Sequence, residues 1–160
     1  MIVRDRSSSV KVGGSNVLFD TWLTARSTIA LLDAALEGTG LGAEDFAAYS
    51  VLNAAGEISP GELARWMSAP ATTVSSYVKR LIARGHVRRV PHPEDGRSYR
   101  LTLTAAGRRA FTTAGRRFLP ALAAVEAGLT MPAADVQRAM EALRAAIDAA
   151  GQQTGPTPAG

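Results

Sequence analysis

Between Ser59 and Leu103 the chain has to start two helices, stop the second at a glycine and turn a pair of extended segments, all within 45 residues. Ser59-Pro60-Gly61-Glu62 is the first start. The serine hydroxyl can accept from the first turn, the proline occupies a position whose N–H would have no partner, and the glutamate three residues after the cap can reach back to it. Leu63, Ala64 and Met67 continue as an apolar face at three- and four-residue spacing, and after the break at Ser68-Ala69, Pro70 opens a second helix. So short a connection is a tight turn.

From Pro70 to Arg84, Val74, Val78, Leu81 and Ile82 fall on one stripe, while Thr72, Thr73, Ser75, Ser76, Lys79 and Arg80 lie elsewhere on the surface. The outer face is short and hydroxylic in its first two turns and cationic in its third. Such a face suits a major groove, because small side chains let the helix approach base edges while Lys79 and Arg80 neutralise backbone charge. An ordinary solvated helix face would read the same way.

The next segment favours the groove. Gly85 stops the helix, His86 to Val90 is β-branched and arginine-rich, and Tyr99 to Leu103 alternates Leu101 and Leu103 with Arg100 and Thr102. Between these strands the loop 91–98 is stiffened by Pro91 and Pro93 and turned by Asp95-Gly96, so its tip carries Arg97. An arginine on a stiff loop beside a groove-sized helix can enter a minor groove, whose narrow walls concentrate negative potential. Asp95 can orient the loop through Arg89 or Arg97, which makes Arg89, Asp95 and Gly96 the expected support of this wing. The expected fold is mainly α with a small β-hairpin wing, a winged helix-turn-helix.

The runs Gly85-His86-Val87-Arg88-Arg89, Asp95-Gly96-Arg97-Ser98 and Leu101-Thr102-Leu103-Thr104-Ala105-Ala106-Gly107 resemble the MarR family of bacterial transcription regulators. That family carries an Asp-x-Arg wing followed by a Leu-Thr-x-x-Gly entry to the next helix. The resemblance extends upstream through Glu62-Leu63-Ala64 and covers roughly residues 16–150. It implies a homodimer on a palindromic DNA operator, with helix 70–84 in the major groove and the loop around Arg97 at the minor groove. It also implies a small, often aromatic or anionic effector. His86 departs from the family, which usually has an aliphatic residue there.

Charge distribution agrees with a nucleic-acid surface. The net charge is only +4, but residues 79–100 hold seven basic and two acidic side chains, a local +5, whereas the rest holds 11 basic and 12 acidic. An anionic membrane would also attract such a patch, but here it has no apolar face beside it. With 46% hydrophobic residues the 160-residue chain can form one domain with a core. Residues 1–16 lack an apolar stretch of signal-peptide length and no segment reaches spanning length, so the expected location is the cytoplasm.

Outside the winged module, residues 43–103, the periodicity is that of helices needing partners. Residues 1–15 read as a flexible arm. In 16–38, Leu18, Trp22, Ala25, Ile29, Leu32 and Leu36 alternate four- and three-residue steps, close to a coiled-coil seam. In 104–150, Phe111, Phe118, Leu122, Val125 and Leu129 precede Val136, Met140, Leu143 and Ile147, with Pro120 expected to kink or break the first of these helices. Left bare, these faces would form large apolar patches, so they are expected to be N- and C-terminal dimerisation helices packed across a two-fold axis. Residues 151–160 read as a disordered tail.

No catalytic or metal chemistry is legible. The sequence has no cysteine and only two histidines, His86 and His92, and no nucleophile or phosphate-loop motif; Gly38 to Gly42 lacks a preceding strand. The expectation is no enzyme activity, no cofactor and no metal. Trp22, Arg26, Tyr49 and Trp66 could line an effector pocket, but core or surface roles explain them as well, and the pocket is left unassigned. The competing functional reading is a winged-helix module whose basic face binds an acidic protein partner.

Overall fold

The computed structural model describes residues 16–92, 95 and 98–153. They fall into two compact units, the first ending at Phe118 and the second beginning at Leu119.

In the first unit, α1 (Val17–Ala35) starts at Asn16, whose side chain accepts from the backbone N–H groups of Leu18 and Phe19. α1 buries none of its own residues; Leu36, just past its end, is 1% exposed and belongs to the core. α2 (Ala43–Ala55) and α3 (Pro60–Trp66) follow. The capping box expected at Ser59 is present: its hydroxyl accepts from Glu62 N (3.2 Å) and the Glu62 carboxylate accepts from Ser59 N (2.8 Å). Those bonds to Ser59 hold the Glu62 carboxyl below the ordinary carboxylate range. Ser59→Ala removes half of the box and should cost about 1 kcal/mol, read from the shift in chemical-denaturation midpoint.

α4 (Ala71–Ala83) begins one residue later than the sequence suggests, because Pro70 is its extended N-cap rather than its first helical residue. β1 (Val87–Pro91) pairs antiparallel with β2 (Tyr99–Leu103), from Val87 opposite Leu103 to Pro91 opposite Tyr99. A further bridge joins Ile58 to Leu101 through bonds of 2.7 and 3.1 Å, tying the α2–α3 connection to the hairpin. One isolated apolar residue before a helix gives no sequence signal for that pairing. Leu63, Val74, Val78, Leu81, Val87 and Leu101 make the core where α3, α4 and the hairpin meet.

α5 (Ala105–Ala127) continues through Pro120, so of the kink or break expected there the break does not occur. Proline removes one backbone bond from a 23-residue ladder, and the exposed position of Pro120 leaves the rest in place. Phe111 stacks on Phe46 of α2 and Phe118 meets the same ring at a tilt, with centroids 5.5 and 5.1 Å apart, so these two positions serve the core of the first unit. In the second unit, α6 (Ala133–Gln153) extends past the expected end at 150 and buries no residue. Large apolar side chains remain exposed on α1 (Val17, Leu18, Phe19, Trp22, Ile29) and in the second unit (Leu119, Val125, Met131, Met140, Ile147). Among the described residues no helix is long and apolar enough to cross a membrane.

Candidate nucleic-acid interface

α4 is anchored by Val74, Val78 and Leu81, each at most 3% exposed. Burial of that stripe turns the opposite row outward. Thr72, Ser75, Ser76 and Lys79 are exposed and Thr73 is half-buried. The Ser76 hydroxyl donates back to Thr72 O (3.2 Å), which leaves its oxygen lone pairs turned to solvent as acceptors. Ser68, in the turn before α4, has φ 47°, a left-handed conformation that lets α3 and α4 be joined so tightly.

The hairpin brings a second cation to this row. A cavity of about 140 Å³ is lined by Pro60 and Gly61 of α3, Ser75 and Lys79 of α4, and Arg89 and Tyr99 of the hairpin, among others. The Arg89 guanidinium lies 4.4 Å from the Tyr99 ring centroid, a cation–π contact that steadies it beside Lys79. Asp95 is exposed, and its carbonyl accepts from Ser98 N (3.1 Å). Gly96 and Arg97 lie outside the described residues.

Arg80 takes a different position from Lys79. It belongs to a second row along α4, with Tyr77 and Arg84, and this row faces α2. Asp45 of α2, 7% exposed, accepts from Arg80 through Oδ1 (2.5 Å) and from Arg84 through Oδ2 (2.6 Å). The Arg80 guanidinium also lies 5.0 Å from the Tyr77 ring centroid, and the Tyr77 hydroxyl donates to Glu44 (2.7 Å). That bond to a carboxylate raises the Tyr77 hydroxyl pKa, and the bond to Asp45 raises that of Arg84. Sequence reasoning missed Asp45. The signal was present, since Asp45 shares its helical stripe with Ala48, Tyr49 and Leu52, and a carboxylate on a core stripe demands a charged partner.

His86, the residue that departs from the family pattern, is accommodated by α2. Its Nδ1 shares a 2.6 Å hydrogen bond with the hydroxyl of Tyr49, which is 0% exposed. Burial is the main reason the Tyr49 hydroxyl pKa is raised. Of the other residues considered for an effector pocket, Arg26 lies over the Trp22 ring, and Trp66 lines an apolar cavity of about 380 Å³ with Ser50, Val51, Ala54 and Ala55. No group of three or more His, Cys, Asp or Glu able to hold a metal ion occurs among the described residues.

A family model described as MarR family matches residues 39–98, from the turn between α1 and α2 up to the start of β2. Among solved structures, the transcriptional regulator MosR of M. tuberculosis in complex with DNA superposes with a TM-score of 0.75 at 26% identity, over 85% of this chain and 98% of that one. Residues 39–98 are therefore similar in sequence to the MarR family of transcriptional regulators, and the fold of the chain is that of these structures. A probable transcriptional regulator from Pseudomonas aeruginosa shares the same fold at 24% identity and a TM-score of 0.68, covering 83% of this chain and 97% of that one. So does an E. coli MarR mutant complexed with operator DNA, at 21% identity and a TM-score of 0.68, over 82% and 99% of the two chains. No curated protein matches the sequence. The MarR-family winged helix-turn-helix expected from the residues is thus the observed fold.

Proposed function

We propose that the chain is a dimeric, sequence-specific DNA-binding regulator, a ligand-responsive repressor that reads a palindromic operator. The observation that carries this reading is the outward hydroxyl row of α4, Thr72, Ser75 and Ser76 with Thr73 beside it, flanked on one side by Lys79 and Arg89. Hydroxyls at base edges would give selectivity and the cations would meet phosphates. Arg97 is assigned to the minor groove, with Arg89, Asp95 and Gly96 supporting the wing, while Arg80, expected from the sequence among the DNA contacts, lies at the edge of the row and is paired with Asp45. The DNA complexes of MosR and of the MarR mutant support the same use of the fold.

The exposed apolar faces of α1 and of the second unit support a homodimer, since soluble proteins seldom leave so many large apolar side chains in water. Two copies of α4 about one helical turn apart would read the two halves of an inverted repeat. A small effector that favours another separation would weaken binding by about 5- to 150-fold at typical coupling energies.

A competition titration tests the reading. A duplex from upstream of the chain's own coding sequence should outcompete random duplex by about 10³ or more, and Arg97→Ala should lose about 1 to 3 kcal/mol of that binding. Equal competition by random duplex would overturn sequence-specific recognition and favour an acidic protein as the partner of the basic face.

A further inference from the structure

We propose that Asp45 is a selectivity-determining residue of this interface, which acts by withholding Arg80 and Arg84 from the DNA backbone. The inference rests on the reading of α4 as the recognition helix. By sequence, α4 and its C-cap offer three cations, Lys79, Arg80 and Arg84. In the structure two of them are spent on one buried carboxylate, each oxygen of Asp45 taking one guanidinium. Glu44 lies on the same edge through Tyr77, so two acids face two arginines and that side of α4 is close to neutral. Lys79 has no ion-pair partner among the described residues.

A phosphate could take either arginine only by stripping one oxygen of a carboxylate that is 7% exposed of its partner, and taking both would leave a buried charge unpaired, which is costly. The backbone contribution to DNA affinity is blind to sequence, and it grows with the number of phosphates neutralised. Base readout fixes the pose of the Thr72, Ser75 and Ser76 row and keeps Arg80 and Arg84 turned toward α2. On random duplex no such constraint holds, and freed arginines would settle wherever phosphates suit them. Holding them back therefore suppresses random binding more than operator binding. The same contacts fix α4 to α2 through residues 35 and 39 positions apart, so that the readout row is presented in one orientation.

The test uses the full-length protein, the upstream duplex that the wild type selects and a random duplex, titrated across a range of salt. Asp45→Asn should raise random-duplex affinity about 10-fold near 0.1 M salt and steepen the salt slope by roughly 1 to 2 per protomer, while the operator-to-random ratio falls about 10-fold. Adding Arg80→Gln and Arg84→Gln to Asp45→Asn should return the random-duplex affinity and slope to wild-type values. A purely structural role would instead weaken both duplexes and leave the slope alone, and that result overturns the proposal. If Asp45→Asn does not fold, single variants decide it. Arg80→Gln should scarcely change the slope, whereas Lys79→Gln should lower it by about 0.9; equal losses from the two overturn the withholding. A wild type that selects no duplex overturns the regulator reading, and the selectivity role with it.

Discussion

Gly107→Ala is expected to cost about 3 kcal/mol or more of folding stability, although glycine to alanine within a helix ordinarily stabilises. α5 starts on top of the chain that enters the wing. Thr104 N donates to His86 O (2.9 Å), the Thr104 hydroxyl donates to Gly85 O (2.7 Å) and accepts from Gly107 N (3.1 Å), and Arg108 donates to Leu103 O (2.7 Å). A Cβ at Gly107 would lie 2.1 Å from the His86 carbonyl oxygen and 2.9 Å from its carbon. Both are backbone atoms, so no rotamer change relieves the clash and either α5 or the start of β1 must move. The melting temperature should fall by roughly 6 to 12 °C. Gly115→Ala in the same helix, where an added Cβ meets nothing within 4 Å, should leave Tm unchanged or raise it. An unaltered Tm for Gly107→Ala would mean that α5 does not begin against His86. The close approach also gives a physical reason for the glycine in the Leu-Thr-x-x-Gly pattern.

The second large effect concerns the exposed face of α1. Trp22 is 55% exposed and Phe19 stacks near it, with ring centroids 6.0 Å apart. Trp22→Glu should barely alter the stability of the isolated fold, because the side chain is already in water. Under the proposed dimer it places a charge in an apolar contact, and sedimentation should report a monomer at micromolar concentration. Operator affinity should then fall by about 10² to 10⁴, the gain ordinarily supplied by linking two binding modules. A variant that remains dimeric and binds normally would remove α1 from the interface.

How far the fold could be read from sequence varied by element. The start of α3 was legible because a capping box is local chemistry: Ser59 and Glu62 are three residues apart and need no other part of the chain. The hairpin was legible from alternation, but its register from Val87–Leu103 to Pro91–Tyr99, which draws Pro91 out of the expected loop into β1, was not read from it. The Ile58–Leu101 bridge was not legible, since it joins residues 43 apart and one of them stands alone. Phe111 and Phe118 showed helical spacing without showing which surface they would meet; Phe46, more than 60 residues upstream, answered that. Their period was correct and their partner was not determined by it.

The charge on α4 shows the division most sharply. The sequence alone determined that this helix would bury Val74, Val78 and Leu81 and turn hydroxyls and cations outward, because a 3.6-residue period acts within 13 residues. It could not separate Lys79 from Arg80. Only the tertiary structure did that, by setting Asp45 of α2 against Arg80 and Arg84 while leaving Lys79 beside Arg89. The reason is that periodicity is a property of neighbouring residues, whereas the effective charge of a side chain depends on which distant group the packed core brings within about 3 Å of it.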